Sequence, residues 1–208
     1  RAAGQADQGR EAVKNEKVLS VELTRLRQSF DLSRQYWPID VVVLNRLSYT
    51  YVDRSQAEAD FSCKQLIPYA LIFDQNGRIC TYQRHGSELR LIGKLSAGIG
   101  GHVNDRDQGP TLYDRLLSGL RREMREEIGL SFRPSQITVL GMINEDESAV
   151  GRCHLGIVFK VHLDVCQKLS FSREIANPEW QRMEQLPLEH FELWSKLAIQ
   201  LVKQGGSV

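Results

Sequence analysis

The sequence has few of the features that would assign it to a specialised class of protein. Its four cysteines, at positions 63, 80, 153 and 166, form no C-x-x-C pair and have no histidine at zinc-finger spacing. This argues against a disulfide framework and against a structural zinc site. No apolar run approaches the roughly 20 residues that cross a bilayer, and the N-terminal segment is polar, without the apolar core of a signal peptide. We therefore expect a soluble, cytoplasmic protein with reduced cysteines.

An excess of charge of one sign is also missing. The 27 lysines and arginines are balanced by 26 aspartates and glutamates among 208 residues. Without a global field, the sequence does not indicate a nucleic acid polymer or a membrane surface as a partner, so any anion must be bound locally. The length and the hydrophobic content allow one full core. We predict an N-terminal extension over residues 1–37 and one main domain over residues 38–208.

Local patterns, with strands surrounding two helices, predict a mixed α/β fold. Apolar residues between Val13 and Phe30 roughly suit a helix with one buried stripe, so the extension is predicted to be partly helical. Asn76-Gly77 separates two apolar stretches over residues 63–84 and predicts a tight hairpin, because Asn-Gly supplies positive φ angles. Further segments are predicted as a loop at 53–60, strands at 136–144, 153–163 and 179–186, and a last helix at 188–204.

A helix over residues 111–128 carries the clearest chemical signal. Leu112, Leu116, Leu120 and Met124 recur four apart, and Gly129 follows in the position of a C-terminal cap. The segment 122–127 then places three glutamates within about one turn, where like charges destabilise a helix by roughly 0.2–0.5 kcal/mol per pair. Oxygen-rich clusters are what Mg²⁺ or Mn²⁺ prefer, and such an ion would convert the repulsion into binding energy.

The stretch REMREEIGL, from Arg122 to Leu130, resembles the second half of the Nudix box at every specified position. That half reads Arg-Glu-U-x-Glu-Glu-x-Gly-U, where U is aliphatic or similar. The first half departs from the pattern, since Asp114 stands where the box has glutamate and Gln108 where it has glycine. The glycine pair Gly100-Gly101 lies further upstream, which indicates an insertion around NDRDQGP. The resemblance covers roughly residues 64–205 and implies a Nudix-like α/β/α sandwich.

The resemblance implies a divalent-metal-dependent hydrolase that cleaves the diphosphate linkage of a nucleoside diphosphate derivative or a related diphosphate metabolite. By the same match, Glu123, Glu126, Glu127 and the carbonyl of Gly100 are the candidate ligands of Mg²⁺ or Mn²⁺. Arg122 matches the family arginine that holds these carboxylates in place. Many relatives form homodimers, so a homodimer is expected here.

The general base and the substrate contacts are less sharply indicated. Candidate bases are Glu123 itself and three glutamates of later loops, Glu145, Glu147 and Glu174, each of which could equally be solvated. Arg84, Arg90 and Lys94 flank the glycine loop and could bind phosphate or pair with acidic groups. His154 alternates with apolar neighbours and is expected to be a satisfied core or rim histidine.

Three other functions remain open at this point. The chain could be a catalytically silent Nudix-fold module that binds a nucleotide or metabolite, and an N-terminal extension would suit such a partner role. It could belong to the isomerase branch of the fold, which acts on isopentenyl diphosphate, with Cys153 as the cysteine. It could also be an interaction module whose acidic helix is only a solvated surface, with Arg121, Arg122 and Arg125 paired to the glutamates.

Overall fold

The computed structural model describes residues 16–85 and 93–205, and in this part of the chain ten strands form one mixed sheet. The strands are β1 (Lys17–Glu22), β2 (Tyr36–Pro38), β3 (Thr50–Asp53), β4 (Cys63–Phe73), β5 (Ile79–Arg84), β6 (Leu95–Ser96), β7 (Gly98–Gly100), β8 (Ile137–Ile143), β9 (His154–His162) and β10 (Ile175–Gln181). The α-helices are α1 (Leu23–Ser29), α2 (Val41–Asn45), α3 (Arg54–Ala57), α4 (Leu112–Ile128), α5 (Ala149–Cys153) and α6 (Leu193–Gly205), and single 3₁₀ turns occupy Pro134–Gln136, Met183–Gln185 and Leu188–His190.

Strand β4 is the centre of the sheet, and all 11 of its residues are buried. It runs parallel to β9 and antiparallel to β1, β5 and β7, within a path ordered β10-β5-β4-β9-β8-β2. Successive side chains of a strand point to opposite faces. On one face Leu66, Ala70 and Ile72 pack in the same core as helix α4, and on the other face Leu71 and Phe73 pack in a second core with helix α6. The predicted mixed α/β architecture with helices on both faces is confirmed.

The hairpin of β4 and β5 is confirmed, with Asn76 and Gly77 in its turn. Gly77 donates its N–H to the carbonyl of Asp74 at 3.0 Å and has a φ of 72°. The carboxylate of Asp74 accepts the backbone N–H groups of Asn76 at 2.9 Å and Arg78 at 2.8 Å. The aspartate side chain thus stabilises the turn that the glycine makes possible.

The predicted helix between Val13 and Phe30 is wrong over residues 17–22, where the chain forms strand β1. Val18, Leu19 and Val21 are all buried, because β1 lies between β3 and β4 and so has neighbours on both edges. Only Leu23–Ser29 is helical, and residues 1–15 lie outside the described part of the chain. Strand β1 belongs to the same sheet as the predicted main domain, and a partly helical extension separate from it is not confirmed.

Helix α4 begins and ends as its sequence predicts. Thr111 caps the N-terminus by accepting the N–H of Asp114 at 3.2 Å, and the Asp114 carboxylate accepts the N–H of Thr111 at 3.2 Å. This reciprocal capping box accounts for the aspartate that stands at the glutamate position of the Nudix box. Gly129 has a φ of 64° and donates to the carbonyl of Arg125, which ends the helix. The helix therefore ends directly after the turn that carries the glutamates.

The remaining sequence predictions differ from the structure mainly at their edges. The polar segment predicted as a loop at 53–60 contains helix α3, and β10 begins at Ile175, earlier than predicted.

All four cysteines are free thiols. Within the described ranges, no helix combines the length and the apolar character needed to span a membrane.

Candidate active site

The glycine loop, which consists of Gly100 at the end of β7 and Gly101 directly after it, lies against the carboxylate of Glu123. A Cβ atom added to Gly101 would lie 2.3 Å from Cδ of Glu123 and 2.5 Å from its Oε1. One added to Gly100 would lie 2.2 Å from the carbonyl oxygen of Pro68. Both distances are far below van der Waals contact, so only glycine lets the loop approach the helix and the strand this closely. Gly101 therefore forms the surface, called the seat here, against which the Glu123 side chain packs, and Gly100 lets the loop pack against β4.

Arg122 joins the helix to the loop through charged hydrogen bonds. Its guanidinium donates to Oε1 of Glu123 at 2.5 Å, to the carbonyl of His102 at 2.8 Å and to Oδ2 of Asp107 at 3.0 Å. A second bond to Asp107, from Nε at 3.3 Å, makes that contact bidentate. Asp107 is only 5% exposed and comes from the inserted segment, so the insertion supplies a buried partner for the arginine.

The carboxylates of this helix differ in burial, and their pKa values differ accordingly. Burial raises the pKa of Glu127 to about 7, with Arg84 opposing and Glu123 and Glu174 adding to the rise. Burial also raises the pKa of Glu123, although Arg122 opposes it. Glu126 has a side chain that is 61% exposed. Removing carboxylates from water disfavours their charge, so the buried pair would gain most from a nearby cation.

In this structure the carboxylates of Glu123, Glu126 and Glu127 do not converge on one point where a cation would bind. Throughout the described ranges, no group of three His, Cys, Asp or Glu side chains is arranged to hold a metal ion. The Glu123 carboxylate faces the Arg122 guanidinium, and the Glu126 carboxylate lies 3.7 Å from the same group. Electrostatic attraction to the same Arg122 guanidinium thus accounts for where both carboxylates lie in this structure.

A cavity of about 360 Å³ opens beside the glycine loop. Gly100, Gly101 and His102 line one side of it, and Arg84, Glu174 and Trp194 line it elsewhere. Glu174 reaches this position because β10 pairs with β5. One residue beyond these strands, the N–H of His85 donates to the Glu174 carbonyl at 2.8 Å. Two residues predicted from sequence, Arg84 and Glu174, therefore lie together with the glycine loop.

The other candidate bases and substrate contacts are placed differently, and of those within the described ranges only Glu145 also lines the first cavity. Lys94 and Glu147 line a neighbouring cavity of about 310 Å³, which shares Glu145, Glu192 and Trp194 with the first. Glu145 is 5% exposed, and its carboxylate accepts the N–H of Ser148 at 2.5 Å and the Ser148 hydroxyl at 2.6 Å. Arg90 lies outside the described residues. Placement thus favours Arg84 and Glu174 as groups that a ligand beside the glycine loop would meet.

The acidic loop after β8 is anchored by a buried lysine that sequence reasoning missed. The side chain of Lys64 is 1% exposed, and its Nζ donates to Asp146 Oδ1 at 2.7 Å, to the Gly151 carbonyl at 2.8 Å and to the His154 carbonyl at 3.2 Å. A lysine inside an apolar strand carries no sequence signal of its partners. Its bonds set where the loop, and Glu145 with it, meets the cavity.

Replacing Lys64 with methionine is expected to destabilise the protein by about 2 kcal/mol, because two buried carbonyls lose a charged donor. Thermal unfolding followed by circular dichroism measures this, with Lys168→Met as the control because Lys168 is exposed. Equal melting temperatures for the two variants would show that the Lys64 contacts do not hold the loop.

A pair of neutral histidines also lines the cavity. Nδ1 of His154 lies 2.7 Å from the Val150 carbonyl, which can only accept, so this nitrogen carries the proton. Nε2 of His154 is then the acceptor for Nε2–H of His102 at 3.2 Å. Burial lowers the pKa of His102 to about 3 and lowers the pKa of His154 as well. His154 is satisfied and 8% exposed, as predicted for a core or rim histidine.

Comparisons with known proteins agree with this architecture. No family model matches the chain. Protein YmaB of Bacillus subtilis (strain 168) is 30% identical over 164 residues, which cover 75% of this chain and 79% of that protein. The crystal structure of Tm1382, proposed to be a Nudix hydrolase, is 28% identical, covers 91% of this chain and 99% of its own, and superposes with a TM-score of 0.74.

A third relative supports the fold alone. The MutT protein from Methanosarcina mazei Go1 is 22% identical, covers 69% of this chain and 95% of its own, and has a TM-score of 0.52. The superposition covers 99% of the Tm1382 chain and 95% of the MutT chain.

Proposed function

This chain belongs to the Nudix hydrolase family as a Nudix-type pyrophosphohydrolase, and we propose that it uses Mg²⁺ or Mn²⁺ to hydrolyse the diphosphate linkage of a nucleoside diphosphate derivative or a related diphosphate metabolite. The observation that carries the proposal is the seat of Glu123 on Gly101. It brings a half-buried carboxylate against the backbone loop that lines the cavity. A substrate in that cavity would meet Arg84 and Gly101, and Gly101 is the residue that packs against Glu123 of α4.

The residues present suit a hard divalent cation. Glu123, Glu126 and Glu127 offer carboxylate oxygens from one helical turn, and the Gly100 carbonyl adds a backbone oxygen beside them. The raised pKa values of Glu123 and Glu127 favour this fit, because a cation would offset the cost of their charge. When bound, such an ion neutralises the diphosphate oxygens and acidifies a water molecule.

The chain's own side chains would then have distinct tasks. Arg122 is a positioning residue, since it holds Glu123 against the loop and uses its remaining donors on Asp107 and His102. Arg84 lines the cavity and would bind a phosphate group. Among the loop glutamates, we favour Glu174 as the general base, because it lines the same cavity as the glycine loop. Glu147 lines the neighbouring cavity, and both oxygens of Glu145 are used by Ser148.

Cys153 offers little to the isomerase alternative. Its side chain is 3% exposed, and the thiol lies 3.3 Å from the carbonyl of Val150 within its own short helix. Burial raises the pKa of the thiol, which opposes the reactive thiolate form. The placement is that of a small core residue.

A panel of diphosphate compounds with Mg²⁺ or Mn²⁺ tests the proposed reaction. Release of a monophosphate product is detected as inorganic phosphate after phosphatase coupling, with and without a chelator. We expect metal-dependent release from at least one nucleoside diphosphate derivative. Saturable binding of these compounds with no release by any of them would favour the silent binding module. Isomerisation of isopentenyl diphosphate releases no phosphate, so it is followed separately by proton NMR of the double-bond shift.

Replacing Gly101 with alanine is expected to lower kcat about tenfold or more while the fold is retained, because the new methyl group would displace the end of a flexible glutamate side chain rather than backbone. Gly205→Ala is the matched control, since nothing lies within 4 Å of its added Cβ. Steady-state kinetics and melting temperatures of the two variants make the comparison. Full activity of the Gly101 variant would show that the seat of Glu123 is unimportant.

A homodimer and a cytoplasmic location remain proposals as well. Family resemblance supports the first, and the composition of the chain supports the second. A monomeric mass by light scattering at working concentration would contradict the dimer.

A further inference from the structure

The chain changes partner strands just before the glycine loop. Strand β6 pairs with β5, with Ser96 opposite Tyr82, whereas β7 pairs with β4, with Gly98 opposite Leu71. Ala97 lies between the two strands and is 1% exposed. At such a crossing the backbone leaves one ladder before it joins the next, so its polar groups need other partners. We call residues 96–98 the strand switch.

Two buried hydroxyl groups supply those partners. The N–H of Ala97 donates to Oγ of Ser195 at 2.9 Å, and the hydroxyl of Tyr82 donates to the carbonyl of Gly98 at 2.7 Å. Ser195 is completely buried and Tyr82 is 2% exposed. Burial raises the pKa of Tyr82 to about 12, so the phenol keeps the proton that it donates. The switch is thus fixed by side chains of β5 and of helix α6.

Tyr69 adds to this support on the side of Ser195 and helix α6. A Cβ on Gly98 would lie 2.0 Å from Cζ of Tyr69, so the ring covers this glycine directly. The Tyr69 hydroxyl lies 2.7 Å from Oε1 of Glu192 and 2.7 Å from Oγ of Ser195. The Glu192 carboxylate also accepts the N–H groups of Trp194 at 2.8 Å and Ser195 at 2.7 Å. The start of α6 is thereby joined to the strand switch through buried hydrogen bonds.

We propose that Ser195, Tyr82 and Tyr69 are positioning residues for the metal site, because the strand switch that they fix sets where Gly100 and Gly101 meet Glu123. The switch ends two residues before Gly100. Residues 98–100 form strand β7, which pairs with β4, and this pairing transmits the position of the switch to the glycine loop. A Cβ added to Gly101 would lie 2.3 Å from Cδ of Glu123, so there is no room for even one methyl group between the loop and this side chain. The inference rests on the proposed metal-dependent function, and it assigns to α6 a role at a site to which that helix contributes no proposed ligand.

The test compares Ser195→Ala and Tyr82→Phe with Ser20→Ala. Ser20 is equally buried and its hydroxyl donates to the Val18 carbonyl of its own strand at 3.4 Å. Its loss removes a buried hydroxyl from β1, which pairs with β3 and β4 and not with residues 96–98. Mn²⁺ affinity is measured by electron paramagnetic resonance on the whole protein, beside kcat, KM and melting temperature. We expect Mn²⁺ to bind on the order of tenfold more weakly in the two switch variants. The value of kcat should fall more than KM changes, and Ser20→Ala should retain the wild-type Mn²⁺ affinity.

The outcomes separate this inference from the proposed function. If wild type binds Mn²⁺ and Glu126→Gln does not, while both switch variants keep wild-type affinity and kcat, the inference is wrong and the proposed function stands. If wild type binds no Mn²⁺ and shows no metal-dependent turnover, the proposed function itself is wrong. If Ser195→Ala does not fold, Tyr82→Phe decides the matter, because it removes one oxygen atom and keeps the ring.

Discussion

Replacing Glu126 with glutamine lowers metal-dependent kcat about a hundredfold, which corresponds to about 3 kcal/mol of lost transition-state stabilisation. The substitution keeps the size of the side chain and removes the charge that a divalent ion would bind. The side chain of Glu126 is 61% exposed, and its carboxylate lies 3.7 Å from the Arg122 guanidinium. The melting temperature is therefore expected to stay close to that of wild type. Loss of activity without loss of stability is the signature of a functional carboxylate.

The matched control for this prediction is Glu22→Gln. The side chain of Glu22 is also 61% exposed and also lies beside one arginine, Arg25, at 3.2 Å, but it is the last residue of β1 and not part of the acidic helix. Steady-state kinetics with a fixed metal concentration compare the two variants. Equal activity of both variants would favour the alternative in which the glutamates of α4 are only solvated groups on the surface.

Arg122→Ala is expected to cost about 3 kcal/mol of folding free energy together with most of the activity. Asp107 would keep its buried position without a charged partner, and the His102 carbonyl would lose its donor. For a chain of this length the melting temperature should fall by roughly 6–12 °C. Activity falls as well, because the contact that holds Glu123 on its seat is removed. The two effects have one cause, the loss of a single guanidinium with several partners.

Arg125→Ala is the control, since Arg125 is exposed in the same turn of the helix. Arg122→Lys adds a second comparison, because an ammonium group cannot reproduce a bidentate contact with Asp107 while also reaching Glu123. Calorimetric unfolding and kinetics are measured on all three variants. Equal stability of Arg122→Ala and Arg125→Ala would mean that the network around Asp107 does not stabilise the fold.

The acidic helix could be predicted because its determinants are local. The four-residue spacing of Leu112, Leu116 and Leu120, and the glycine at position 129, each act within one or two turns. The β4–β5 hairpin was predictable for the same reason, since its turn chemistry is local to Asn76-Gly77.

Strand β1 could not be predicted in this way, because its apolar residues also suit a helix with one buried stripe. What decides the outcome is pairing with β3 and β4, whose residues lie more than 25 positions away along the chain. Val18, Leu19 and Val21 are buried on both faces of the sheet, a pattern that is set by tertiary neighbours. Periodicity alone does not distinguish these two environments.

The candidate site was predictable where the motif is contiguous and unpredictable where the fold brings separate segments together. Glu123 and Gly101 follow from the motif and the glycine pair, yet their direct contact is known only from the structure. Asp107 sits in an insertion that has no counterpart in the motif, so nothing marked it as the partner of Arg122. Glu147 and Glu174 were equivalent candidates by sequence, and only sheet topology places Glu174 at the cavity.

The central claim is that the acidic end of α4 holds a divalent cation. Anomalous diffraction from crystals soaked in manganese tests it most directly. The account predicts an anomalous peak between the carboxylates of Glu123, Glu126 and Glu127 and the carbonyl of Gly100. A fully soaked crystal with no peak there, and with those carboxylates directed at bulk solvent, would contradict it.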